Sequence, residues 1–195
     1  MERLPLYLQL GFEHISNLAG YDHILFLVAL CAVYQLRQWR HIVILVTAFT
    51  LGHSITLALA AFGTIIIPSA IVEFLIPTTI LLTALFNVFS RQPTAEKSAR
   101  MGRHYLMALF FGFIHGMGFS NYFRALMMSD DSIVIPLLGF NVGIELGQLA
   151  VVLVILGLSF LFQNVIGVKH RDWNVFISGA AAGLAVNLMV ETRFW

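Results

Sequence analysis

Polar side chains in this chain of 195 residues fall in short clusters, separated by apolar windows of membrane-crossing length. A helix needs about 20 predominantly apolar residues to cross the hydrocarbon core of a bilayer. Windows of that kind lie near 21–36, 41–62, 68–89, 104–123, 133–164 and 173–192. The pattern predicts an all-α, polytopic helical membrane protein with about six transmembrane helices plus a short N-terminal helix. That N-terminal stretch, 4–18, either continues the short first span or lies along the interface. The fifth window is long enough to tilt or protrude. Residues 1–195 read as a single integral membrane domain, and the loop 91–103, with Pro93 and mixed charge, is the one candidate hinge between two halves.

Composition closes off the alternatives. The chain is 59% hydrophobic and 11% charged, whereas a soluble domain carries roughly 25% charged residues. It has no polar shell to present to water, so the lipid bilayer is its expected surroundings. The lone Cys31 excludes a disulfide framework and a cysteine-based zinc site. A net charge of +1 argues against a nucleic-acid partner. Residues 1–19 lack a basic n-region and a small-residue cleavage site, so the first span is expected to double as the targeting signal. The connections after spans 1, 3 and 5 hold Arg37, Arg40, Arg91, Lys97, Arg100, Arg103, Lys169 and Arg171, eight of the eleven basic residues. The other side has Arg3, Arg124 and Arg193. The positive-inside rule then turns those three connections to the cytoplasm and predicts both termini outside.

Charge also falls inside the spans. An ionisable pair at a membrane helix costs a few kcal/mol unless it meets a partner, a cavity or an ion. Asp22 and His23 form such a pair at the mouth of the first span. At about 1.5 Å per residue, His53 and Ser54 come just past mid-membrane and His115 beyond the middle of its span. Glu73 falls within the first two turns of the third span, and Asn141, Glu145 and Gln148 between the outer face and the centre. His14 precedes the first span on the same side. His41, His104 and His170 fall at the opposite helix ends, where water reaches them. Singly, each has a plainer reading: a helix–helix hydrogen bond for His23 or His53, an N-cap for Asp22, a solvated interface for Glu73 or His14. Together, four histidines and three acids at one depth suit a divalent transition metal. The candidate ligands are His14, Asp22, His23, His53, Glu73, His115 and Glu145, with Ser54, Asn141 and Gln148 orienting them. Asn141, Glu145 and Gln148 share one face of the fifth span, while Gly139, Gly143 and Gly147 line the other and predict close packing on a neighbour. Gly112 with Gly116, and Gly179 with Gly183, predict the same in spans 4 and 6.

The segments Leu10-Gly11-Phe12-Glu13-His14 and Gly20-Tyr21-Asp22-His23-Ile24-Leu25-Phe26-Leu27 resemble the opening signature of the HupE/UreJ family of hydrogenase and urease accessory membrane proteins. Thr47 to Leu57, around Gly52-His53-Ser54, is similar to its second motif. Val72-Glu73, Phe111-Gly112-Phe113-Ile114-His115-Gly116-Met117-Gly118-Phe119 and the run from Gly139 to Leu149 are similar to three more. The resemblance covers about residues 10–150. It implies a nickel or cobalt permease, with metalloenzyme maturation proteins as partners, and the expected location is the bacterial inner (cytoplasmic) membrane. The residues taken by themselves reach only a divalent metal, zinc included.

Two mechanisms fit that reading. In a permease, His23, His53, His115, Asp22 and Glu145 capture the ion from outside, and helix rearrangement releases it past Thr47, Thr50, Thr78, Thr79, Thr83 and Asn87. In a metal-dependent intramembrane hydrolase acting on a lipid or a membrane-embedded peptide, a histidine-bound zinc lowers the pKa of its water to about 7. Glu73 or Glu145 is then the catalytic general base.

Overall fold

The structure is a computed structural model and describes residues 4–64, 67–89, 98–127 and 133–195. Arg3, Arg91, Pro93 and Lys97, used above for orientation and the hinge, lie outside the described residues. The chain forms helices α1 (Leu4–Ser16), α2 (Asp22–Cys31), α3 (Trp39–Ala61), α4 (Ser69–Phe89), α5 (Ser98–Met127), α6 (Val134–Phe160) and α7 (His170–Glu191). A π-helical turn, Leu161–Val165, prolongs α6. No strand occurs among the described residues. Leu36–Ala60, Ser69–Phe89, Val134–Val165 and His170–Glu191 are long and apolar enough to cross a membrane. The chain is a polytopic helical membrane protein.

The first span is built differently from a continuous helix. α2 has 10 residues, or about 15 Å at 1.5 Å per residue, half of a hydrocarbon core. α1 precedes it and packs lengthwise on α6. A Cβ on Gly143 would overlap the carbonyl oxygen of Leu8, and one on Gly11 would overlap that of Phe140. Gly139 meets Leu4 and Tyr7, and Gly147 meets Phe12 and Ile15. Position rises along both helices together, so α1 and α6 run parallel with their backbones in contact. α2 continues the descent: the amide of Asn87 donates to the carbonyl of Ala29 at 2.6 Å, and His170 Nε2 lies 3.2 Å from the carbonyl of Val33. α1 and α2 follow one another through the bundle as one broken run of helix. Its break is a 3-10 turn, Leu18–Gly20, whose first free amide, that of Ala19, donates to the Asn17 side chain at 2.9 Å.

A second parallel pair joins α3 and α5. A Cβ on Gly52 would meet the carbonyl of Leu109, one on Gly112 that of Phe49, and one on Gly116 the Thr56 hydroxyl and the His53 carbonyl. In lipid no hydrophobic force drives helices together, so such close approach gains its energy from dispersion across a tight seam. Gly179 and Gly183 do not act this way: a Cβ on either would meet no other helix within 4 Å among the described residues. α7 turns Asn174, Ser178, Ala181 and Ala185 inward instead, a face at helical spacing that leaves both glycines outside. α4 and α7 are antiparallel: Phe74 packs on Phe194 and Trp195 at one end, and Asn174 donates to the Asn87 carbonyl at the other.

Candidate metal centre

Discontinuity and pairing decide where the histidines go. His14 sits on the last turn of α1, and Asp22 and His23 open α2 across the break. His53 and His115 face inward from the α3–α5 pair, both fully buried. Two groups result. One ligand atom each from His14, His23 and His53 lie within 4.8 Å of one another, and so do one each from Asp22, His23 and His115. His23 is the hub, its ring centroid 4.6 Å from His14, 5.2 Å from His115 and 6.1 Å from His53.

Hydrogen bonding turns two of the rings. His23 Nδ1 lies 3.2 Å from the Asp22 carboxylate; a carboxylate only accepts, so Nδ1 carries the proton and Nε2 the lone pair. The Thr79 hydroxyl donates its one hydrogen to the Ile76 carbonyl at 2.7 Å, so at 3.1 Å it accepts from His115 Nε2. That leaves the lone pair on His115 Nδ1. His23 Nε2 and His115 Nδ1 are both buried and without a partner, as are His14 Nε2 and both nitrogens of His53. A buried polar atom left unmade costs about 1–3 kcal/mol. Each of the four rings thus offers a buried, unpartnered nitrogen, and the two groups that share His23 are a donor set suited to a late divalent metal, which takes neutral imidazole well.

Aromatic rings wall the cluster. Phe119 lies 4.1 Å and Phe140 5.7 Å from His14, stacked on each other at 4.9 Å, and Phe49 lies 5.0 Å from His115. The Asp22 side chain is 27% exposed against 6% for His23, so access is from the side of the break.

The other candidates stand apart. Glu73 is exposed and in neither group. Glu145 is also in neither; one oxygen accepts from the Thr47 hydroxyl at 2.7 Å, and the other is buried without a partner, as is the side-chain oxygen of Asn141 one turn earlier. Gln148 accepts from Thr50 at 2.6 Å, and Ser54 donates to the Thr50 carbonyl at 2.7 Å. Neither makes a hydrogen bond to a histidine ring in this arrangement. Thr79, which orients His115, was visible in the sequence only as a weak inner-half ligand. A threonine at the depth of a histidine on a neighbouring span was the available signal.

The family model described as HupE / UreJ protein matches residues 1–193 of the chain. No curated protein and no solved structure matches it.

Proposed function

The chain belongs to the HupE/UreJ family, and from that premise we propose that it is a permease for nickel(II) or cobalt(II), with the ion as cargo. His14, His23, His53 and His115, with Asp22, bind the ion where the α1–α2 break meets the α3–α5 pair. The observation that carries this reading is the set of buried imidazole nitrogens without a hydrogen-bond partner. Two of them are held in the ligating tautomer by Asp22 and Thr79. A break in a membrane helix is the usual setting for an ion site in transporters, because it frees helix ends inside the membrane.

The whole chain acts as one integral unit of a bacterial inner membrane. The end bearing His41, His104 and His170 faces the cytoplasm, both termini face outward, and metalloenzyme maturation proteins receive the metal. The hydrolase reading has less support, since it needs a carboxylate base beside the metal. Glu73 and Glu145 belong to neither histidine group, and Asp22 is engaged with His23.

The deciding experiment is nickel(II) flux into proteoliposomes loaded with a metal-sensitive dye, for the intact chain and for His53→Ala. Flux in the first and none in the second is expected. A tightly held metal with no flux in the intact chain would end the permease reading.

A further inference from the structure

The histidine cluster does not face the His170 end of the bundle across apolar packing alone. Thr79, Thr83 and Asn87 lie four residues apart on α4 and are all buried. His170, Asn174 and Ser178 lie four apart on α7, with Asn174 and Ser178 buried. Because α4 and α7 are antiparallel, the α7 stripe joins the α4 stripe at Asn87 and carries it on towards His170. The stripe starts at the His115 ring, 3.1 Å from Thr79. Thr83 donates to the Thr79 carbonyl at 2.8 Å, and Asn87 reaches the Ala29 carbonyl at 2.6 Å and the Ser178 hydroxyl at 3.4 Å. Asn174 donates to the Asn87 carbonyl at 3.1 Å and accepts from Ser178 at 3.0 Å. One turn on, His170 lies 3.2 Å from the Val33 carbonyl and 2.9 Å from Gln163, which donates to Ser159 at 2.6 Å. Gln163, Ser159 and His170 line a cavity of about 690 Å³, with Gln35 and Arg37 on its wall.

We propose that the cation leaves the histidine cluster along the α4–α7 seam, past Thr79, Thr83, Asn87 and Ser178, into the cavity at His170. This rests on the permease reading above. Of the nine buried polar side chains other than histidine among the described residues, six lie on this seam or at the cavity it meets. A bundle that needed polar contacts only for cohesion would have no reason to gather them on one line from the metal cluster to an open end.

The chemistry of the line suits release. Hydroxyl and amide oxygens bind late divalent metals more weakly than imidazole does, so an ion that has left His115 is not trapped on the way. The α2 end contributes as well: the helix stops at Cys31, and the Val33 carbonyl beyond it serves the route rather than a helical turn. Pro77, two residues before Thr79, has no N–H for the Glu73 carbonyl, which loosens α4 beside the point where the route begins.

The test uses the full chain in proteoliposomes, with nickel(II) flux and equilibrium nickel(II) binding measured on the same preparations. Asn87→Leu and Thr83→Val are expected to lower flux about tenfold or more, equivalent to about 1.4 kcal/mol on the barrier, while stoichiometric binding at the histidines persists. Ser178→Ala, the mildest change, is expected to lower flux several-fold, and Leu82→Ala, on the exposed face between Thr79 and Thr83, to leave it unchanged. If Asn87→Leu does not fold, Thr83→Val and Ser178→Ala carry the comparison. Wild-type flux per binding-competent molecule in both would overturn the route while leaving the permease intact. Absence of flux in the unmodified chain, with nickel held, would remove the permease and the route together.

Discussion

Gly143 and Leu8 are in backbone contact: a side chain on the glycine would occupy the position of the leucine's carbonyl oxygen. Through that contact α6 holds α1 in place, and α1 carries His14 into the cluster. Gly143→Leu is therefore expected to pry α1 off α6 and cost about 1–3 kcal/mol or more, with a matching loss of nickel affinity. Gly147→Ala, whose Cβ would stand 3.1 Å from the Phe12 carbonyl, is expected to be milder. Thermal melting in detergent, beside metal titration, checks both. Equal melting of wild type and Gly143→Leu would mean that α1 is not held this way.

His53→Ala and His115→Ala are each expected to abolish tight metal binding. Glu73→Ala and Glu191→Ala should leave it intact, since Glu73 is exposed and in neither group and Glu191 is engaged by Asn187 at 2.6 Å. Calorimetric titration of the four variants separates them, and a loss in Glu73→Ala equal to that in His53→Ala would show the ligand set to be misassigned.

Thr79→Val keeps the shape of the side chain and removes the oxygen that accepts from His115. Freed to take either tautomer, the ring presents its lone pair to the metal only part of the time, and affinity should fall roughly 10–100-fold, as for other groups that orient ligands. Thr79→Ser retains the acceptor and should restore binding. A Thr79→Val protein that binds as wild type would refute the orienting role.

Metal should stabilise the fold, because a buried lone-pair nitrogen on a histidine of the cluster gains a partner when it is bound. At a free concentration 100 times the dissociation constant, binding to the native state alone adds about 2.7 kcal/mol. The melting temperature should rise with nickel(II), fall back on chelation, and not respond in His53→Ala. A shift of equal size in that variant would place the metal elsewhere.

Much of the fold was legible in the one-dimensional pattern. Four of the six apolar windows correspond to helices of membrane-crossing length, because a bilayer demands apolar length and leaves few other solutions. The fourth window lies inside the longer α5. The first window was only half legible: 21–36 holds a short helix, α2, that follows α1 across a break. Sequence pattern could not show that α1 packs lengthwise on α6, since a short apolar stretch followed by Asn-Leu-Ala-Gly does not name its neighbour. The glycines of α6 identified a packing face, but their partner was another helix's carbonyls, which no spacing reveals. On α7 the same glycine spacing faces outward, because a seam forms where two backbones meet and not wherever small residues repeat.

By itself, the order of residues pointed to a helical membrane protein of the HupE/UreJ family and predicted that its costly side chains gather at one depth. Depth follows from residue counting along a helix of constant rise. Direction around the axis and distance between helices do not, since they depend on which backbones come into contact. Tertiary structure alone decided that His14 and Asp22–His23 meet across a break, that Thr79 turns His115, and that Glu73 and Glu145 stand outside the two histidine groups.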